Sequence, residues 1–221
     1  IAHEVRSPAG VAWSALVELE ASLAGSPEHE RMLVIARRSV RRLLCLADRL
    51  SMAAELERGP LALQIAPLDL HELVVRMGDD ASDTFGRKGV VFDFESSEPI
   101  PIEADERWLG AAILEIIANA LRHARTRVRA RLTVSDASAI VRIEDDGRGF
   151  SEGFVLPGRE RFSPAGVVGG LGLSLCMVSD VATAHGGRLF GGTSTLPPTQ
   201  PGASGAAVSI EVPVPRTIAS S

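Results

Sequence analysis

The amino-acid sequence predicts an α+β protein: a helical hairpin that forms a four-helix bundle on dimerisation, followed by an α/β sandwich. Three observations carry this. Two segments, within residues 5–23 and 36–54, space their apolar residues alternately four and three apart. The period then changes abruptly after Gly59 and Pro60. Beyond that point helical stretches and strictly alternating ones follow each other, the clearest alternation lying in "RVRARLTVS" and "AIVRIED".

In the first segment the seam is Val5, Ala9, Ala12, Leu16, Leu19 and Leu23. This is the a/d pattern of helices packed at a shallow angle. "AGSPE", Ala24 to Glu28, breaks it, with Ser26 placed as an N-cap and Pro27 at the first helical position. A second helix runs to about Glu57 with the seam Ala36, Val40, Leu43, Ala47, Leu50 and Ala54. Two long helices joined by a short turn make an antiparallel hairpin. One hairpin leaves an apolar stripe uncovered, so two copies are expected to pair as a homodimer. Residues 1–58 form this hairpin, residues 59–216 the second domain and residues 217–221 a tail.

"RGPLALQIAPLDL" reads as short strand and turn. A helix is expected from His71 to about Phe85, then a strand around "VVFDFE", then a helix from about Glu106 to Arg122. In the following strand pair Val128, Ala130, Leu132 and Val134 point inward and the arginines outward. A Gly-rich stretch, a helix from about Gly172 to His185 and two last strands complete the domain. "STLPPTQPGASG" between those strands is expected to be a mobile loop. His29, His71 and His185 are expected at helix starts and ends, without a chemical role.

Composition narrows the function. The net charge is -5, against a nonspecific nucleic-acid partner. Tyr is absent and aromatics make up 4%, which leaves no base-stacking platform. The two cysteines, Cys45 and Cys176, sit in apolar helical stretches, against a disulfide framework or a Cys-based metal site. No apolar run reaches the length of a membrane span, so no direct membrane contact is expected, and reduced cysteines in the core fit a cytoplasmic location. The chain opens mid-pattern without Met and reads as a piece of a longer protein, any membrane anchor lying upstream.

Three stretches of the second domain carry chemistry. In "EIIANALRHA", Glu115 and Asn119 share a helix face. A carboxylate and an amide oxygen so placed suit a magnesium ion beside phosphates, and Arg122 suits phosphate charge. A surface stripe on an amphipathic helix fits equally well. In "EDDGRGF", Asp145 lies on the strand face of Val141 and Ile143, inside the sandwich. A buried carboxylate needs a partner, and the exocyclic amine of adenine is one. Gly147 and Gly149 remove side chains where a ligand approaches, although a D-G hairpin turn also explains them. In "VVGGLGLSL", Gly169, Gly170 and Gly172 lead into a helix whose first N–H groups can receive phosphate oxygens. A tight turn is the plain alternative.

In this order the three stretches resemble the N, G1 and G2 boxes of the GHKL ATPase superfamily, whose ATP-binding domain is the Bergerat-type α/β sandwich. "RERFSP", with Phe162, sits where the histidine kinases of that superfamily carry their F box, and Ser151 to Val168 would be the ATP lid. The opening "HEVRSP" resembles the H box of sensor histidine kinases. The resemblance spans nearly the whole chain. It implies that His3 accepts the γ-phosphate of ATP and passes it to an Asp on a response-regulator receiver domain. Glu4 would orient His3 or take its proton. Ser7, where the family has Thr or Asn, would place water for dephosphorylating the regulator. Pro8 would bend the helix there. Asn119, Arg122, His123, Asp145, Gly147, Gly149, Phe162, Gly170, Leu171 and Gly172 would bind the nucleotide, with Glu115 and Asn119 at Mg2+.

The sequence departs from the family pattern at several places. Ala9 replaces a Leu, Val168 replaces the first glycine of the G2 string, and Glu115 replaces an Asn. Three roles for Glu115 stay open: a magnesium ligand, a base for water as in other GHKL ATPases, or a residue that spoils the site. Two other functions are therefore weighed against the kinase. One is a GHKL ATPase without phosphotransfer; the other is a pseudokinase scaffold that relays conformation.

Overall fold

The computed structural model describes residues 9–17, 19, 32–36, 39–40, 43, 47, 51, 54–55, 58–59, 61–95, 98–135, 137–151, 156 and 173–214. The chain divides into two compact units, Ile1–Pro60 and Leu61–Ser221. In the first unit, residues 9–17, 19, 32–36, 39–40, 43, 47, 51 and 54–55 are helical. The expected break at Ala24 to Glu28 lies outside the described residues. Ala9, Leu33 and Ala47 are buried, whereas Val11, Leu19, Ile35 and Leu43 are exposed.

The second unit begins with β1 (Ala66–Asp69) and α1 (Leu70–Lys88). β2 (Val91–Glu95), β3 (Pro101–Ala104) and α2 (Glu106–His123) follow. Then come β4 (Arg127–Val134), β5 (Ser138–Asp145), α3 (Leu173–Ala184), β6 (Arg188–Thr193) and β7 (Ala206–Pro213). β2, β4, β5, β7 and β6 form one sheet in that order. β2 pairs with β4 in parallel and the remaining neighbours are antiparallel. β1 and β3 form a separate antiparallel pair. β3 was not expected: a four-residue strand opening on proline is too short to show alternation.

Alternation decides which face is covered. Val128, Ala130, Val141, Ile143, Ile210 and Val212 are buried. Against the sheet α1 lies toward β2, α2 over β5 and α3 over β6 and β7. α2 contributes Leu109, Ile113, Ile116 and Ile117, all fully buried, each stabilising the fold by about 1.5–3 kcal/mol. The opposite sheet face carries charge. Arg127 pairs with Asp93 at 3.0 Å, and Arg129 and Arg131 reach Glu95 at 3.3 and 2.8 Å. Partly solvent-open pairs of this kind contribute little each, but they keep that face polar.

Both ends of α2 are fixed. Asp105 caps its start, accepting from Trp108 N at 3.1 Å and from Gln64 N at 2.7 Å. The Asp105 N–H donates to Nε2 of buried His185 at 3.0 Å, and Nδ1 of His185 lies 2.8 Å from the Val181 carbonyl. The proton therefore sits on Nδ1, and one imidazole ties the end of α3 to the start of α2. At the other end Lys88 Nζ donates to the Leu121 carbonyl at 2.8 Å. A cation at a helix C-terminus also favours the helix dipole.

Two glycines give a paired test. A Cβ on Gly187 would overlap the Glu211 carbonyl, whereas one on Gly86, in α1, meets nothing within 4 Å. Gly187→Ala is expected to lower stability by about 1–3 kcal/mol. Gly86→Ala is expected to raise it by about 0.5–1 kcal/mol. Urea unfolding measures both; equal effects of one sign would contradict the packing described.

Candidate functional site

The site is built where α2 ends and β5 ends. β5 alternates, so Ala139, Val141 and Ile143 face the helices and Asp145 follows on the same face, 4% exposed. Its Oδ1 accepts from the Gly147 N–H at 2.8 Å and from the Ala206 N–H at 3.4 Å. Among the described residues Oδ2 accepts no hydrogen bond. Burial pushes the carboxyl up, and Asp146 adds to this. The Gly147 and Ala206 N–H groups and the nearby His123 pull it down, but the net position is above the ordinary carboxylate value. Between its ordinary and raised values, the folded chain holds a proton that the unfolded chain has released. Asp145 thus favours the fold increasingly as pH falls through that window. An N–H donor delivered to Oδ2 would favour the ionised form.

Gly147 joins the turn to the helix. A Cβ there would overlap the carbonyl oxygen of His123, so only glycine lets the turn lie against the end of α2. Gly149 has φ of 85°, the left-handed region, and its Cβ would overlap Ser204 Oγ. The structure thus brings His123, Asp145, Gly147 and Gly149 to one place, with Asn119 and Arg122 on the last turns of the same helix. Arg122 Nη1 donates to Asn119 Oδ1 at 3.2 Å. Arg122 and His123 are exposed and Asn119 is half-buried. Glu115, one turn earlier, is 7% exposed, so the reading of this stretch as a surface stripe does not hold for it. His3, Glu4, Ser7, Pro8, Phe162, Gly170, Leu171 and Gly172 lie outside the described residues.

Asp146 was not singled out from the sequence, although three acidic residues in a row at a strand end were its signal. It is 3% exposed. Its Oδ1 accepts from Arg125 N at 2.8 Å and its Oδ2 from Thr126 N at 3.0 Å and from Thr126 Oγ1. The carboxylate therefore grips the turn between α2 and β4. Burial pushes it up, but the Thr126 hydroxyl and the Arg125, Thr126 and Arg127 backbone N–H groups outweigh that and hold it below its usual value. The β6–β7 loop, expected to be mobile, is likewise fastened. Leu196 is buried, Thr199 Oγ1 donates to the Asp146 carbonyl at 3.1 Å, and Gly205 N donates to the Gly147 carbonyl at 3.2 Å.

A separate cleft of about 560 Å³ lies at the far end of α2, lined by Leu73, Arg76, Met77, Asp80, Glu106 and Gly110 among others. It shares no residue with the carboxylate turn, and its volume alone assigns it no chemistry.

Asp146 has a pH signature. A lowered carboxyl stabilises the fold above its unfolded value and loses that contribution as pH falls through its folded value. Asp146→Asn is expected to lower stability by about 1.5–3 kcal/mol at neutral pH. The gap to the parent should narrow below about pH 4. Urea unfolding at both pH values checks this, and a gap that does not change with pH would contradict it.

The site's family follows from comparison with known proteins. Residues 104–216 match the family described as "Histidine kinase-, DNA gyrase B-, and HSP90-like ATPase". The chain is 26% identical to the signal transduction histidine-protein kinase BaeS of Escherichia coli (strain K12), across 99% of this chain and 46% of that protein. It is 28% identical to the sensor protein kinase PmrB of Pseudomonas aeruginosa, across 98% of this chain and 44% of that protein. The chain thus spans less than half the length of these relatives. Among solved structures, full-length ShkA in complex with AMPPNP superposes with a TM-score of 0.66 at 23% identity, over 96% of this chain and 44% of that one. The mycobacterial sensor histidine kinase MprB superposes with a TM-score of 0.54 at 27% identity, over 67% of this chain and 97% of that one. The chain belongs to the histidine kinase-, DNA gyrase B- and HSP90-like ATPase family.

Proposed function

We propose that the chain is the ATP-dependent protein-histidine kinase core of a two-component system. It phosphorylates His3 and passes the phosphoryl group to an Asp of a response-regulator receiver domain. The observation that carries this reading is the buried Asp145 carboxylate, held through Oδ1 by Gly147 and Ala206 beside the end of α2. A helix bearing Asn119, a strand-end Asp and a glycine turn packed on that helix support the reading of this place as an adenine-nucleotide site.

In this reading Oδ2 of Asp145 accepts the exocyclic amine of adenine. Asn119 and Arg122 face the phosphates, and His123 lines the pocket. Gly170, Leu171 and Gly172 would offer N–H groups at the start of α3, with Phe162 in the lid. Glu115 and Asn119 supply two oxygen donors four residues apart, a set that suits a hard cation such as Mg2+, which would neutralise triphosphate charge. A ring nitrogen of His3 attacks the γ-phosphorus in line, a P–N bond forms, and the bond to the β,γ-bridging oxygen breaks to release ADP. Glu4 orients the imidazole or takes its proton.

The reading includes a homodimer through residues 1–58. The exposed Leu19 and Leu43, both on the apolar seams, support it, since a second copy would cover such surface. Among the described residues, no helix is long and apolar enough to cross a membrane.

Labelling with γ-labelled ATP tests the reading. The parent should acquire acid-labile label, His3→Ala none, and Ser7→Ala label at near the parent rate. Persistent label on His3→Ala would contradict the assignment of the acceptor. Release of free phosphate without protein label would point to an ATPase, and neither product to a scaffold.

A further inference from the structure

Glu144 is fully buried at 0% exposure, on the sheet face turned away from the helices, and the phosphotransfer chemistry has no use for it. Its Oε1 accepts from the Thr195 N–H at 2.9 Å and from Arg142 Nε at 3.0 Å, and its Oε2 from Thr195 Oγ1 at 3.1 Å. Arg142 Nη2 also donates to the Thr193 carbonyl at 2.7 Å. Glu144 and Arg142 therefore clasp the first residues of the β6–β7 loop onto the sheet. Burial pushes the Glu144 carboxyl up, but the Thr195 and Arg142 hydrogen bonds hold it below its usual range, as an ionised clasp requires.

From this clasp the loop returns to the carboxylate turn. Thr199 bonds the Asp146 carbonyl and Gly205 bonds the Gly147 carbonyl. A Cβ on Gly205 would overlap the Asp145 carbonyl oxygen, so loop and turn are in direct contact. The next residue, Ala206, donates its N–H to Asp145 Oδ1. One end of the loop is bound by Glu144 and the other positions Asp145, its neighbour in sequence.

We propose that the β6–β7 loop sets the base selectivity of the nucleotide site, with Glu144 and Thr195 as positioning residues. The inference rests on the reading of Asp145 as the adenine acceptor. Adenine presents an N–H donor where guanine presents a carbonyl oxygen. A carboxylate oxygen fixed at that point attracts the first and repels the second, whereas one free to swing discriminates less. Glu144 and Thr195 act through the loop that holds Oδ1.

The test is calorimetric titration of the 221-residue chain with ADP and with GDP. Glu144→Gln, Thr195→Val and Asp145→Asn are titrated alongside the parent. The parent should prefer ADP. Glu144→Gln should weaken ADP by about fivefold or more while changing GDP by less than about twofold. Thr195→Val, which removes one hydroxyl, should shift the same ratio in the same direction and carries the comparison should Glu144→Gln fold poorly. A clasp that is only structural would weaken both nucleotides in proportion. That outcome, or an unchanged ratio in both clasp variants, overturns the proposal. Asp145→Asn separates it from the underlying reading. If this variant keeps the parent's ADP preference, the adenine assignment itself fails; if it loses the preference while the clasp variants keep it, only the clasp fails.

Discussion

The candidate site depends on keeping an ionisable carboxylate inside a hydrophobic sandwich. Asp145 continues the inward row of β5 after Val141 and Ile143, where burial opposes its charge. Backbone N–H groups from two directions, Gly147 and Ala206, answer part of that cost at Oδ1. No hydrogen bond reaches Oδ2 among the described residues. Among the described residues, hydrogen bonds reach one oxygen of a carboxylate that the fold has largely taken out of water.

The surroundings fasten the segments on which Asp145 sits. Asp146 grips the α2–β4 turn through Arg125 and Thr126. Glu144 holds the β6–β7 loop. Three consecutive carboxylates thus fasten three different segments around the end of one strand. α2 is itself held at its start by Asp105 and His185 and at its end by Lys88. The last turns of α2 and the carboxylate turn are therefore positioned by hydrogen bonds and close glycine contacts as well as by apolar packing.

Much of the second unit was legible in the sequence because its periods are clean. The alternation in β4 and β5 placed both strands within a residue or so of their observed limits, and α2 was found at Glu106. Asp145 could be placed inward by counting twos from Val141. Less legible was whatever rests on contacts distant in sequence. The loop "STLPPTQPGASG" has the composition of a mobile segment, and nothing local reveals that Thr195 and Thr199 bond Glu144 and the Asp146 carbonyl. His185 looked like a helix-end residue, but it bonds an N–H eighty residues away in the chain. α1 continues past Phe85 to Lys88 because a left-handed Gly89, not the apolar period, ends it. His3, Glu4 and Ser7 rest on a sequence motif alone and lie outside the described residues.

The most direct measurement follows the Asp145 carboxyl carbon by NMR while pH is varied, with and without ADP. Without nucleotide, Asp145 should titrate above the ordinary carboxylate range because burial opposes its charge. Saturating ADP should move that midpoint downward, because an amine donor at Oδ2 favours the ionised form. An Asp145 that titrates as an ordinary carboxylate and does not respond to ADP would contradict the account.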